Sequence, residues 1–377
     1  MPRAIVITGI GMVTPLGSDP QTVWQRIAAG ETAAAPPAHF DATPFACPVC
    51  AEIRDFQPER YVPESKLVRL MNREAQLAVA AAHLALEDAG LGRERTYLPE
   101  EIGLFGATGL AGLPLAEVAP LIKASTGAGG RFDPGRFGRD GLKAVRPILS
   151  FKVLSNMPLC FVSICENIQG PNAIYTPWEG QGAQAIETAV RALECGEARC
   201  ALGGGCDVKT HELAFLGLEQ QGAFASWQKQ RTGPAPGEGA AFLVLEEEGN
   251  AAARGARIHA RLSGFSLVTR RKGSNGSEAY LQTLEKLRLA GKSLNGIVAA
   301  GNGDPLAGQE ENRALATLRI SASRVVHPKK QMGDLFAAAA PAQVGLAAWL
   351  AGRQGGAVLA DCFGHGSEQA AFLLEQP

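Results

Sequence analysis

Two periods of apolar residues alternate along this chain, and together they predict an α/β protein. Residues 4–8, 102–107 and 200–204 form short continuous runs that read as buried strands. Residues 73–89 instead repeat apolar side chains at helical spacing and end in Asp88-Ala89-Gly90, a helix stop. Residues 241–246 read as another strand, bounded by glycines and charge. At 246–255 the pattern gives way to a charged, glycine-punctuated stretch that predicts a connection between two halves. Beyond it, 257–266 and 296–300 read as strands and 337–351 as an alanine-rich helix. The two halves thus carry similar element orders.

A chain of 377 residues can bury a large core. Its 36 basic and 37 acidic side chains leave a net charge of −1, so no global field favours nucleic acid or an anionic membrane. Its apolar stretches are too short for a membrane span. The N-terminal residues enter a strand without the order of a signal peptide, which predicts a cytoplasmic protein. Eight cysteines in a chain of this size fit reduced, mostly buried thiols. Cys47-Pro48-Val49-Cys50 has CxxC spacing but no second pair or histidine partner, so it reads as a loop with two thiols and not as a metal site.

Several glycine-rich segments then narrow the reading. Residues 1–17, the Gly170-Pro171 lead to a strand and turn at 172–182, Gly203-Gly204-Gly205-Cys206-Asp207, Pro236-Gly237-Glu238-Gly239-Ala240, the stretch 329–334 and Phe363-Gly364-His365-Gly366 occur in that order. Together they resemble the β-ketoacyl-acyl-carrier-protein synthases, or ketosynthases, over nearly the whole chain. The resemblance implies a thiolase-like fold: two duplicated αβαβα halves in five layers. Residues 1–250 would form the first half, with a cap and interface insertion at about 108–157, and 251–377 the second.

The same resemblance exposes three departures at the catalytic seats. A ketosynthase needs a cysteine at a strand-to-helix elbow to hold the acyl chain, and two histidines for decarboxylation and oxyanion stabilisation. The elbow here carries Glu179, whose carboxylate could hold an acyl group only as a labile mixed anhydride. The first histidine seat falls on Gly301 and the second on Asp334, in a motif that keeps Lys329. Glu179 has two readings. One is a carboxylate accepting hydrogen bonds from its own helix N-terminus, with Gly180 and Gly182 leaving room for it. The other is simple drift. His327, His365, Cys160 and Cys165 are the nearest substitutes in sequence, and each reads as structural.

Degenerate ketosynthases of this kind are similar to the chain-length factor, or ketosynthase β-subunit, of type II polyketide systems, with a length nearer that of aryl-polyene partners. The likeness implies a subunit inactive alone, heterodimeric with a catalytic ketosynthase, serving an acyl carrier protein and needing no cofactor or metal. It would place tunnel or interface residues at Leu113, Ala116, Pro120, Leu159, Cys160 and Phe161. A malonyl-carrier decarboxylase and a homodimeric acyl- or carrier-binding protein are the alternatives.

Overall fold

The computed structural model describes residues 4–92, 96–110, 112–271, 276–364 and 366–377. Ten strands form its main sheet: β1 (Ile5–Val13), β2 (Ile102–Thr108), β3 (Asn172–Tyr175), β4 (Cys200–Val208), β5 (Glu238–Glu247), β6 (Ala260–Thr269), β7 (Gly296–Val298), β8 (Val325–Val326), β9 (Ala357–Phe363) and β10 (Glu368–Glu375). The principal helices are α1 (Pro20–Ala28), α2 (Arg73–Asp88), α3 (Leu115–Ala124), α4 (Met157–Glu166), α5 (Glu179–Cys195), α6 (Gly276–Lys286), α7 (Pro305–Thr317), α8 (Pro328–Met332) and α9 (Ala339–Gln354).

The strand order is β8-β7-β9-β10-β6-β1-β5-β4-β2-β3. Read outward from the central β1–β6 pair, each half runs first, fifth, fourth, second, third strand. The pairings also repeat: antiparallel, antiparallel, parallel, parallel in both halves. Antiparallel pairing of Ile5 with Leu262 joins the halves. Helices α5 and α9 pack on each other and on strands of both halves, while α2 covers one outer face and α6 with α7 the other. This is the duplicated five-layer arrangement.

The sequence explains why helices can sit so close to the sheet. A Cβ on Gly9 would lie 2.2 Å from the Ala85 carbonyl oxygen, and one on Gly11 would lie 2.0 Å from that of Ala81. The alanine-rich face of α2 therefore meets a strand stripped of side chains. These glycines interrupt the apolar run, yet β1 continues through them to Val13 with all nine residues buried. Helix α9 is buried almost throughout, consistent with its alanine content and its central position. Residues 246–255 divide between the end of β5 and a helix at Glu248–Ala253.

Candidate functional site

Strand β3 leads through Pro177 and Trp178 into α5, which places the Glu179 backbone in the first turn of a 17-residue helix. The Trp178 N–H donates to Gln181 Oε1 at 2.9 Å, so part of the helix entrance is capped by glutamine. The Glu179 side chain and the whole of His365 lie outside the described residues. The two glycines that follow the elbow are held close to neighbouring elements. A Cβ on Gly180 would lie 2.2 Å from Glu368 Cβ, and one on Gly182 would lie 2.4 Å from the Ala337 carbonyl oxygen. They serve the close approach of α5 to β10 and to the turn before α9.

At the first histidine seat the space is taken. Ala300 and Gly301 donate their backbone N–H groups to Glu311 at 2.9 and 3.2 Å. A Cβ on Gly301 would sit 3.2 Å from both Glu311 Oε2 and His327 Nδ1. Behind it stand Asp361 and Tyr280, fully buried, their polar ends facing each other and Glu311. Burial raises the pKa values of Glu311 and Asp361, that of Asp361 furthest. Burial first, and then the neighbouring Glu311, favour the protonated form of Asp361.

The second seat is bound into the same network. Asp334 is fully buried and accepts from Asn302 Nδ2 at 3.0 Å and from the Phe336 N–H at 3.1 Å. Lys329 Nζ lies 3.5 Å from Asp334 Oδ1 and donates to the Phe363 carbonyl at 2.9 Å. The structure thus brings Asp334 and Lys329 together beside Asn302, the neighbour of Gly301. Asp334 supplies acceptors only, and the amide of Asn302 is already engaged.

A second charged cluster went unrecognised in the sequence. Asp207 and Lys209 form a buried ion pair at the end of β4, and Lys209 Nζ lies 5.5 Å from the centre of the Phe336 ring. Glu74 is buried nearby on α2, and burial together with Asp207 pushes its pKa up to about 8. Charges inside otherwise apolar segments were the available signal. A cavity of about 170 Å³ between this cluster and the elbow is lined by Leu110, Pro177, Trp178, Lys209, His211 and Leu218. Another of about 150 Å³ touches Ala300, Asn302, Asp304, Phe363 and Gly364.

Five of the described thiols are held in the protonated form by burial. Burial pushes Cys47 and Cys165 up to about 11 and raises Cys50, Cys206 and Cys362 as well. Cys160 lies in the first turn of α4, near Asn156. His327 lies beside the Gly301 seat at the start of α8 without a side-chain hydrogen bond to that helix, and its Nδ1 is buried with no hydrogen-bond partner among the described residues. Among the described residues no group of three or more His, Cys, Asp or Glu side chains could hold a metal, the Cys47–Cys50 loop included.

The expected tunnel and interface residues separate. Leu113, Leu159 and Phe161 are buried in this chain, while Ala116 and Pro120 are exposed on α3 and Cys160 is half-buried. Leu159 and Phe161 belong to the apolar core under α2. The exposed apolar side chains nearby are Leu110, Ile122, Phe151, Leu154 and Ile164. Strand β3 ends the sheet and pairs only with β2 among the described residues.

The sequence model of the β-ketoacyl synthase N-terminal domain matches residues 2–251. The chain belongs to the β-ketoacyl synthase family. Among curated ketosynthases it is 28% identical over 360 residues to the 3-oxoacyl-[acyl-carrier-protein] synthase 2 of Vibrio cholerae, covering 89% of this chain and 83% of that protein. The Coxiella burnetii protein of the same name is 29% identical over 332 residues, covering 83% and 76%. Among solved structures, the ishigamide ketosynthase/chain length factor superposes with a TM-score of 0.82 at 23% identity, covering both chains fully. A β-ketoacyl synthase from Burkholderia phymatum gives 0.80 at 22% identity, again covering both fully. A type II polyketide ketosynthase in complex with its acyl-carrier protein gives 0.78 at 18%, with both chains fully covered. These likenesses establish the thiolase-like ketosynthase fold. Among the described residues, no helix is long and apolar enough to cross a membrane.

Proposed function

We propose that this chain is a non-catalytic subunit of the chain-length-factor type. It pairs with a catalytic ketosynthase and shapes the space in which an acyl chain grows on an acyl carrier protein. The observation that carries this reading is the tightly packed first seat: a Cβ on Gly301 would lie 3.2 Å from Glu311 Oε2 and from His327 Nδ1, so a histidine there requires both to give way slightly. The loss of the elbow thiol removes acyl transfer to this chain, and Asp334 offers no donor to a thioester oxygen. The small cavities beside the old seats, about 150 and 170 Å³, suit a disused site better than a long-chain tunnel of its own.

The exposed side chains around Phe151 and Ile164, together with the open edge of β3, supply the apolar surface that a permanent partner would cover. Co-expression with a ketosynthase that has the cysteine and both histidines tests the pairing. A 1:1 complex by native mass measurement is expected. A stable homodimer that ignores that ketosynthase would support the acyl- or carrier-binding alternative instead.

A further inference from the structure

A cleft of about 540 Å³ lies between α1, β8 and α8, lined by Trp24, Ile27, Arg324, Val326, His327 and Lys330 among others. Its lining contains two permanent cations and no carboxylate. Arg324 stacks over the Trp24 ring at 5.0 Å and uses one donor on Gln354 Oε1 at 2.8 Å, leaving other guanidinium donors to solvent. Lys330 is exposed, and its ammonium has no hydrogen-bond or ion-pair partner among the described residues. The floor is apolar: Ile27, Val325 and Val326 flank the indole, which Trp349 supports from behind at 6.5 Å.

These features belong to one ligand chemistry. Cations without acids attract an anion, while the indole and aliphatic floor favour an apolar body over a fully hydrated ion. A phosphate cradle would instead present clustered backbone N–H groups. We propose that this cleft binds an amphipathic carboxylate, with its head on Arg324 and Lys330 and its acyl or aryl body against Trp24 and Val326. His327 forms the wall between this cleft and the Gly301 seat, since its ring lines the one and its Nδ1 lies 3.2 Å from a Cβ placed on the other. The site is separate from the elbow cavity and does not depend on the proposed subunit role.

The test is calorimetric titration of the full chain with octanoate, benzoate and inorganic phosphate. Saturable single-site binding of octanoate or benzoate, with none of phosphate, is expected. Lys330→Ala and Arg324→Ala should each weaken it about tenfold, as loss of a charged hydrogen-bond partner does. Both side chains are exposed, so the variants should fold, and unchanged melting temperatures would verify it. Leu110→Trp, which fills the elbow cavity, should leave the affinity unchanged. The proposal is overturned if neither carboxylate saturates, if phosphate binds equally well, or if binding responds to Leu110→Trp and not to Lys330→Ala.

Discussion

Asn302 donates its side-chain amide to Asp334 across 3.0 Å, tying the neighbour of the first histidine seat to the second seat itself. In a working ketosynthase those positions must keep donors free for substrate. Here they satisfy each other, with Lys329 held between Asp334 and the Phe363 carbonyl. These side chains form a buried polar network, and its energetics can be probed without any substrate.

Removing one member of that network should be costly. Asp334→Ala leaves Lys329 buried beside an empty position and deprives Asn302 and the Phe336 N–H of an acceptor. A loss of about 3 kcal/mol is expected, typical of breaking a buried charge pair. Denaturant titration checks it, and Asp334→Asn should recover part of the loss by keeping an acceptor for Asn302.

Restoring the ancestral chemistry should fail for a steric reason. Gly301→His forces a side chain toward Glu311 and His327, each only 3.2 Å from the new Cβ. Overpacking of this kind costs about 1–3 kcal/mol. The triple variant Glu179→Cys, Gly301→His, Asp334→His should melt several degrees lower and still form no carrier-bound β-ketoacyl product.

Stability should fall on the alkaline side because of Glu74. Its pKa is raised from 4.5 to about 8, chiefly by burial and then by Asp207, so the folded chain holds a proton that the unfolded chain releases. That contribution is full below about 4.5 and is lost as pH rises through about 8, on the order of a few kcal/mol in all. His211, held neutral down to about pH 4 by burial and Lys209, acts with the opposite slope on the acid side. Thermal melts from pH 6 to 9 should therefore decline for the native chain. With Glu74→Gln they should flatten, with higher stability at the alkaline end.

Much of this was legible in the sequence, and the exceptions share a cause. The alternation of apolar runs located most strands and helices, and the motifs placed Gly301, Asp334 and Lys329 at one centre. The missed parts depend on residues distant in the chain. Nothing near Gly301 in sequence says that Glu311 will accept its N–H, nor that Glu74 will sit under Asp207. Nor does the local sequence say that Gly180 and Gly182 will face Glu368 and Ala337, which come far later. Strand β4 likewise runs past Gly203 to Gly205, because Gly203 backs onto α5 and Gly205 onto the turn before α9.

The exposed apolar face yields a further prediction. Ile164→Asp and Phe151→Asp alter side chains 61% and 53% exposed, so the isolated chain should keep its stability. If that face is covered in the complex, each charge would be buried unpaired and association should weaken by tenfold or more. Size-exclusion with the catalytic ketosynthase measures it. Ala116→Phe, on the exposed side of α3, should leave assembly intact and shorten the carrier-bound chains.

The account rests most directly on who does the chemistry. Mass spectrometry of carrier-bound products should be run on this chain alone, on the catalytic ketosynthase alone and on the co-purified pair, each supplied with acyl and malonyl carriers. The account predicts no condensation by this chain alone, and long products from the pair that the ketosynthase does not make by itself. Condensation by this chain alone, retained after Glu179→Ala and in a preparation free of any other ketosynthase, would contradict it.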